Sequence, residues 1–455
     1  MIFDTIAAVA TPRGTGGVAV IRVSGESTRS LLRAVFRPSG EHPENRPRHA
    51  TYGEIVGADG KGIDQVLATY FPAPRSFTGE DVAEISCHGG ALITEQVLGC
   101  VLAAGARLAQ PGEFTRRAVM NGKMKLSSAE ALGALLDAKT TGQLTLARGG
   151  MKGKLSDALA AHFSGISLVL ADAYAKIDFP DEDLNSMTRD QLRAALYEHG
   201  QAISRLARTY HTGHAVAQGL RTVICGPVNA GKSTLYNALV GKDAAIVTDV
   251  AGTTRDVLTE TVAAGQVTLR LFDTAGLRET TDVVEEIGVA RTRKAMDEAE
   301  LILCVLDASA LPGEQERALL DTLCKSGTPV IVVLNQCDRA DVFPTELLGA
   351  FSHVVRLSAR DGDVRALIDT IEALYLSDGI DLGEDPIVSN ARQYAALCRA
   401  SEALARSVQA LDEGVGLDAA LIDAELAMSA LGEVDGRAVD EAILSDIFSH
   451  FCVGK

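Results

Sequence analysis

The sequence contains no tryptophan, and only 4% of its residues are aromatic. In a chain of 455 residues with 47% hydrophobic and 23% charged residues, the cores must be built from Leu, Val, Ile and Ala, and long disordered regions are not expected. At roughly 100 to 200 residues per domain, this length predicts two to four domains.

Positive net charge is also lacking, since the formal net charge is −17. A protein that wraps nucleic acid by itself needs clustered Lys and Arg, so any RNA contact is expected to be local or supplied by a partner. The eight cysteines show no CxxC pair and no Cys/His zinc spacing, which argues against disulfides and structural zinc. Cys87 and His88 are neighbours in a predicted strand and point to opposite faces, which predicts a buried structural pair rather than a catalytic dyad.

Long apolar runs are missing as well. The start, MIFDTIAAVATPRG, has neither a basic segment nor a long apolar one, and no apolar run approaches the roughly 18 to 20 residues of a membrane span. These features predict a cytoplasmic protein with no membrane segment.

The residue pattern, and with it the predicted secondary structure, changes along the chain. Residues 1–120 alternate β-branched runs with Gly- and Pro-rich turns around one helix and predict an α+β domain. Residues 121–217 and 380–455 have helical periodicity, whereas the pattern of residues 218–379 predicts alternating strand, loop and helix units. One helical domain made of two segments, with an α/β domain inserted between them, is the economical interpretation. Ser127 and Glu130 have the spacing of a capping box at the start of the first helical segment.

Two glycine-rich stretches have different meanings. GTGGVA at 14–19 opens a predicted strand rather than a helix, which excludes a dinucleotide fingerprint there. RTVICGPVNAGKST at 221–234 is a strand followed by G-x-x-x-x-G-K-S, in which Gly226 and Gly231 let backbone N–H groups close on phosphates. Lys232 would reach the β and γ phosphates, and Ser233 would bind Mg²⁺.

The expected partner motifs follow in order: AGTTRD at 251–256, LFDTAG at 271–276, NQCD at 335–338 and SAR at 358–360. Asp273 would hold Mg²⁺ through water, Thr254 would complete the metal shell and the Gly276 N–H would sense the γ phosphate. Asp338 would accept two hydrogen bonds from guanine while Asn335 braces it, which favours GTP over ATP. The predicted GTP-binding residues are Asn229, Ala230, Gly231, Lys232, Ser233, Thr234, Thr248, Asp249, Val250, Ala251, Gly252, Thr253, Thr254, Asp273, Thr274, Ala275, Gly276, Asn335, Asp338, Ser358, Ala359 and Arg360.

The motifs depart from the usual GTPase pattern in two places. Gln336 stands where N-K-x-D has a lysine, which predicts weaker nucleotide binding with the guanine preference kept. Leu277 stands where a Ras-like enzyme has its water-orienting glutamine, so another group must position the water. Four nearby acids are either candidates for this role or an ordinary solvated helix start: Glu279, Asp282, Glu285 and Glu286.

The whole chain resembles the MnmE (TrmE) family of bacterial-type tRNA modification GTPases. The resemblance is carried by ATPRGTGGVAVIRVSG, SFTGEDVAEISCHGG, QPGEFTRRAVMNGK, the GTPase motifs and the terminal FCVGK. It implies a multidomain protein with an α+β N-terminal domain (1–120) that dimerises and binds folate, an all-α helical domain (121–217 and 380–455), and an inserted α/β P-loop GTPase (Ras-like) domain (218–379).

The resemblance also implies functional residues. Asn229, Thr248, Val250 and Thr253 match the family's K⁺ ligands, and Glu285 matches its water-orienting glutamate. Its folate-binding positions correspond to Arg22, Glu84, Lys123 and Lys455, although scattered surface charge is the alternative. Cys452 would lie near the one-carbon unit, where it either takes part in the chemistry or packs behind Phe451.

The implied activity is a K⁺-stimulated GTPase, activated when its domains meet across a homodimer. With an FAD-dependent MnmG (GidA)-type partner, in a heterotetramer or larger complex, it would add a carboxymethylaminomethyl or aminomethyl-type group to C5 of the wobble uridine of certain tRNAs. The one-carbon donor would be 5-formyl- or 5,10-methylene-tetrahydrofolate. The alternative, from another functional class, is a GTP-dependent RNA or ribosome assembly switch without modification chemistry.

Overall fold

The computed structural model describes residues 4–12, 14–179, 181, 186–243, 259–272, 295–339, 342–377, 379–437, 441–449, 451 and 453–454. The chain divides into two compact units. The first contains residues 1–133 and 432–455, and the second contains residues 134–431.

Strands and helices fall in the predicted regions, except that the described part of residues 1–120 contains three α-helices where the sequence pattern predicts one. The strands are β1 (Ile6–Val9), β2 (Val18–Ser24), β3 (Phe36–Pro38), β4 (Thr51–Val56), β5 (Gly62–Phe71), β6 (Val82–His88), β7 (Arg107–Leu108), β8 (Leu220–Cys225), β9 (Thr259–Ala264), β10 (Val267–Phe272), β11 (Leu301–Asp307), β12 (Val330–Asn335) and β13 (His353–Arg356). The helices are α1 (Thr28–Val35), α2 (Ala91–Ala103), α3 (Glu113–Met120), α4 (Leu126–Asp137), α5 (Thr141–Met151), α6 (Lys154–Asp178), α7 (Arg189–Arg208), α8 (Tyr210–Ala217), α9 (Lys232–Asp243), α10 (Glu314–Cys324), α11 (Arg365–Tyr375), α12 (Ala391–Asp412), α13 (Leu417–Asp435) and α14 (Glu441–Ser449).

The first unit contains a seven-stranded sheet in the order β3-β4-β5-β6-β2-β1-β7. Its strands pair antiparallel, apart from the parallel pair β1 and β7. Because side chains alternate along a strand, Ala19, Ile21 and Val23 of β2 enter a core with residues of α1 and α2. The intervening Arg22 lies on the opposite face of the sheet, away from this core, where a ligand could contact it.

The same unit includes the C-terminal helix. Phe448 of α14 is buried in a cluster with Leu126 and Ala129, and Phe451 packs against this cluster. A β-carbon on Gly133 would lie 3.0 Å from the Phe451 ring. The end of the chain is therefore anchored to the region that follows the α+β sheet.

The second unit contains a six-stranded sheet in the order β13-β12-β11-β8-β10-β9, parallel except for β9. Successive residues of β11 enter opposite cores: Leu301, Leu303 and Val305 pack on one face, and Ile302 and Cys304 on the other. A sheet covered by apolar residues on both faces is typical of α/β domains, and its loops at the carboxyl ends of the strands form the usual ligand site. This confirms the predicted α/β fold class.

Two helix starts in the first helical segment follow local capping chemistry. Thr140 and Thr188 form capping boxes with Gln143 and Gln191, at the starts of α5 and α7. The predicted capping box at Ser127 was wrong, because α4 begins at Leu126 and Ser127 is a buried residue of its first turn. The Ala129 N–H already donates to the Lys125 carbonyl, so the helix starts before the serine.

Helix α6 differs from the prediction that no apolar segment is long enough to span a membrane. By length and composition alone, its 25 residues could cross a membrane. The core helix of a soluble protein passes the same test. Here Ile166 and Leu170 are buried, and 28% of the most apolar 18-residue window is buried in all. The predicted domain boundaries at 120, 217 and 379 stay a prediction.

Candidate nucleotide-binding site

The predicted phosphate loop connects β8 to α9. Ala230 is 1% exposed and packs into the core, which anchors the loop. Lys232 begins α9, and its Nζ donates to the carbonyls of Gly226 (3.0 Å) and Pro227 (2.7 Å). Burial lowers the pKa of Lys232, since its charge is partly removed from water. An anion in this loop would stabilise the charged ammonium, as a nucleotide phosphate does.

Asn335, at the end of β12, joins three predicted motifs. Its side chain is buried, and Nδ2 donates to the Ala230 carbonyl at 2.9 Å. Its Oδ1 accepts a hydrogen bond from the Ala359 N–H, also at 2.9 Å. A β-carbon on Gly231, where φ is +92°, would overlap the Asn335 amide nitrogen, so this approach requires glycine. The phosphate loop, NQCD and SAR therefore meet at one buried amide.

Gln336 makes a second link to the phosphate loop. Its Nε2 donates to the main-chain carbonyl of Asn229 at 3.1 Å. Both residues have left-handed backbones, with φ +64° at Gln336 and +65° at Asn229. Cys337 packs against an apolar cluster and donates to the Leu334 carbonyl, consistent with a packing role.

The side chains predicted to contact the guanine base lie on the loops next to the buried Asn335 side chain. Asp338 is exposed after β12, and Arg360 is exposed in the 3₁₀ turn Ala359–Asp361. The Ser358 Oγ is buried, yet it has no hydrogen-bond partner among the residues that the structure describes. Because a buried hydroxyl without a partner is costly, a polar ligand edge is a fitting partner.

Hydroxyl groups suited to a metal lie at the start of α9. Ser233 and Thr234 are exposed there, directly after Lys232. Mg²⁺ prefers such oxygen ligands, so the predicted role of Ser233 fits its position. In the part of the chain that the structure describes, no cluster of three His, Cys, Asp or Glu side chains could hold a metal.

Many predicted nucleotide and metal ligands lie outside the described residues. They are Thr248, Asp249, Val250, Ala251, Gly252, Thr253, Thr254, Asp273, Thr274, Ala275, Gly276 and Glu285. Their roles stay predictions.

The candidate folate residues Arg22 and Glu84 are cross-strand partners in β2 and β6. Arg22 donates to Glu84 Oε1 from Nε at 3.0 Å and from Nη2 at 2.8 Å. The Arg22 guanidinium also lies over the rings of Phe77 (5.4 Å) and Phe114 (5.8 Å). A half-buried cation and acid beside two aromatic rings suit an anionic ligand with a planar ring.

The chain end reaches this face of the sheet. Arg22 Nη1 donates to the Gly454 carbonyl at 3.3 Å. Gly454 has φ +100°, and a β-carbon there would overlap the Val9 carbonyl oxygen. Cys452 and Lys455 lie outside the described residues. Lys123 is exposed after α3, with its stem against Gly79.

Cys87 and His88 do not form a dyad, and Cys87 is buried, as predicted, but the predicted burial of His88 was wrong. Cys87 is buried with Sγ directed at the Ala19 carbonyl, and burial raises the pKa of this thiol. His88 is exposed, and its Nδ1 lies 2.7 Å from an Asp64 carboxylate oxygen.

Four contacts were not predicted from the sequence. They are the Gln336 bond to Asn229, the two rings at Arg22 and the bond from Arg22 to Gly454. The only local signal was the glutamine in place of the usual lysine.

A parallel sheet with a glycine-rich phosphate loop, joined through Asn335 to a base-recognition loop, defines a P-loop GTPase domain. Comparison with known proteins extends this to the whole chain. A family model described as the GTP-binding protein TrmE N-terminus matches residues 5–123, and one for the MnmE helical domain matches residues 126–452. The chain belongs to the MnmE (TrmE) family of tRNA modification GTPases.

The most similar relatives include three proteins named tRNA modification GTPase MnmE. That of Heliobacterium modesticaldum is 41% identical over 100% of both chains. That of Symbiobacterium thermophilum is 41% identical over 99% of both, and that of Lactiplantibacillus plantarum is 40% identical over 100% of this chain and 99% of its own. Among solved structures, an Era variant of Aquifex aeolicus bound to GDP and AlF4⁻ is 25% identical over 40% of this chain and 65% of that chain, with a TM-score of 0.27.

Proposed function

We propose that this GTPase couples GTP hydrolysis to modification of the wobble uridine of certain tRNAs at C5, with an FAD-dependent partner of the MnmG (GidA) type. The added group is of the carboxymethylaminomethyl or aminomethyl type, with its one-carbon unit supplied by 5-formyl- or 5,10-methylene-tetrahydrofolate. Family membership supports the tRNA substrate.

The observation that carries the nucleotide half of the proposal is the buried side chain of Asn335. It fixes the phosphate loop through Ala230 and the base loop through Ala359. Base and phosphates of one nucleotide therefore meet a preassembled site. Asp338, exposed beside it, would accept hydrogen bonds from the N1–H and N2–H groups that guanine has and adenine lacks.

Hydrolysis requires an oriented water and neutralised phosphate charge. Glu285 would orient the water that attacks the γ phosphorus, and the bond to the β–γ bridging oxygen then breaks to release GDP and phosphate. Ser233 and Thr254 would hold Mg²⁺, which neutralises charge on the phosphate oxygens when bound. Asn229, Thr248, Val250 and Thr253 would hold K⁺, which adds positive charge where the transition state is most anionic. Asn229 is exposed, so its side chain is open to a ligand.

Contacts within the first unit support the proposed folate site. Arg22 forms an ion pair with Glu84, its guanidinium lies over two aromatic rings, and it donates a hydrogen bond to the chain end. Arg22, Lys123 and Lys455 would meet the carboxylates of the cofactor, and Glu84 the polar edge of its pterin. Cys452 would act beside the one-carbon unit.

The assembly is proposed to be a cytoplasmic homodimer that joins its partner in a heterotetramer or larger complex. Residues 1–120 would form the dimerisation and folate domain, 121–217 and 380–455 the helical domain, and 218–379 the GTPase domain. The acidic net charge of −17 fits a protein whose partner supplies most of the tRNA-binding surface.

Steady-state hydrolysis of GTP and ATP, in KCl and in NaCl at equal ionic strength, tests the proposal. Fast turnover only with GTP and only in KCl is expected. Slow hydrolysis that is indifferent to the cation would contradict the K⁺ site and dimer activation, and would favour the assembly switch.

A further inference from the structure

Two consecutive side-chain amides bond to two consecutive carbonyls of the phosphate loop. Asn335 Nδ2 donates to Ala230, and Gln336 Nε2 donates to Asn229. The first bond is buried, whereas the second lies near the surface. Together they connect the guanine loop to the turn that precedes Gly231 and Lys232.

The backbone of this turn is unusual at both ends of the second bond. Non-glycine residues with positive φ are uncommon, and asparagine adopts this conformation more readily than glutamine. Among the described residues, only Arg48, Asn229 and Gln336 are non-glycine residues with positive φ. The left-handed backbone at Gln336 therefore needs stabilising contacts, and the hydrogen bond to Asn229 is one of them.

The residue type at 336 also matters for charge. A lysine at this position of N-K-x-D donates from an ammonium, whereas the glutamine amide donates without a charge. A lysine ammonium and a glutamine amide can both donate a hydrogen bond to a main-chain carbonyl such as that of Asn229. Compared with lysine, Gln336 lacks the charge and the longer stem but keeps a donor.

We propose that Gln336 is a positioning residue, which holds the phosphate-loop turn at Asn229 through its amide and thereby slows release of guanine nucleotide. This deepens the proposed function, since it rests on GTP and GDP as the ligands. It also revises the expectation of weak binding: the donor, rather than the lysine charge, is the part of the motif that the loop requires.

Two variants separate the donor from the stem. Gln336→Met keeps an unbranched stem and removes the donor, whereas Gln336→Lys keeps a donor. Release of methylanthraniloyl-GDP, followed by stopped-flow fluorescence on the full-length protein, should be about three- to tenfold faster in Gln336→Met, as expected for loss of one neutral hydrogen bond. Gln336→Lys should release the nucleotide no faster than the wild type. For GTP hydrolysis, KM should rise in Gln336→Met by a larger factor than kcat falls.

The control is the same substitution at Gln409, an exposed residue of α12 that donates to Glu413 at 2.7 Å. Gln409→Met should release the nucleotide at the wild-type rate. Equal release from Gln336→Met and wild type would overturn the positioning role, because the stem alone would then suffice. Fast release from both Gln336→Met and Gln336→Lys would overturn the role of the donor. Failure of the wild type to bind the nucleotide at all would overturn the proposed function together with this inference.

Discussion

Arg22 donates a hydrogen bond to the main-chain carbonyl of Gly454, which lies 432 residues further along the chain. The same guanidinium is paired with Glu84, so the chain end lies beside the candidate folate residues. Phe448 and Phe451 anchor this end through their own packing, with ring centroids 5.3 Å apart.

Displacing the chain end should weaken folate binding. In Gly454→Ala, the new β-carbon would overlap the Val9 carbonyl oxygen and force the segment away from Arg22. Because Arg22 would lose the hydrogen bond that orients its guanidinium, we expect an affinity for 5-formyltetrahydrofolate lower by up to about tenfold, measured by calorimetry. GTP hydrolysis should be unchanged.

The control for backbone strain is Gly60→Ala. Gly60 also has positive φ, +75°, but a β-carbon there meets no atom within 4 Å. If both variants lose folate affinity equally, strain rather than the displaced chain end is responsible, and the link to Arg22 is contradicted.

Removing the buried amide of Asn335 should disconnect the nucleotide site. Asn335→Ala leaves the Ala230 carbonyl and the Ala359 N–H without this partner, which should lower the free energy of unfolding by about 1–3 kcal/mol. Binding of GDP should fall sharply, because both loops lose their common support. Denaturant unfolding and fluorescent GDP titration measure the two effects.

A second asparagine serves as the control. The Asn390 side chain caps α12 by accepting from the Gln393 N–H at 2.9 Å. Asn390→Ala should cost about 1 kcal/mol of stability while leaving GDP affinity intact. Equal loss of affinity in both variants would mean that stability alone explains the Asn335 effect.

The nucleotide site was predictable to the extent that it is local. The strand, loop and helix around Lys232 follow from a contiguous motif, and the strand cores follow from alternation. The bond from Gln336 to Asn229 joins residues 107 positions apart, and no spacing rule specifies it. Ser127 shows the opposite failure, because a local pattern that matches a capping box did not set the start of the helix, which begins ahead of the serine at Leu126. That the chain end would approach the folate domain came from family resemblance, since nothing local at Gly454 indicates a contact with Arg22.

Glu285→Ala should bind GTP normally yet hydrolyse it about 100-fold more slowly or worse, as expected when an oriented water loses its partner. Single-turnover hydrolysis and GTP titration measure the two steps. The neighbouring substitution Glu286→Ala should leave both unchanged. Equal slowing by both variants would contradict a specific role for Glu285 and favour a general effect of the acidic segment.

Cys452→Ser tests whether the thiol near the chain end does chemistry. A thiolate is a far better nucleophile than a serine hydroxyl at neutral pH, and a nearby cation would lower the pKa of such a thiol. Serine is close to cysteine in size, so a packing role should survive the change. The variant should therefore lose wobble-uridine modification, measured by mass spectrometry of tRNA nucleosides, while keeping GTP hydrolysis.

The exposed Cys324 provides the matched control, and Cys324→Ser should keep both activities. Full modification by Cys452→Ser would leave the residue as a packing group at the end of the chain. Loss of both activities would mean that the substitution disturbs the fold rather than the chemistry. Loss of modification alone would support a chemical role for the Cys452 thiol.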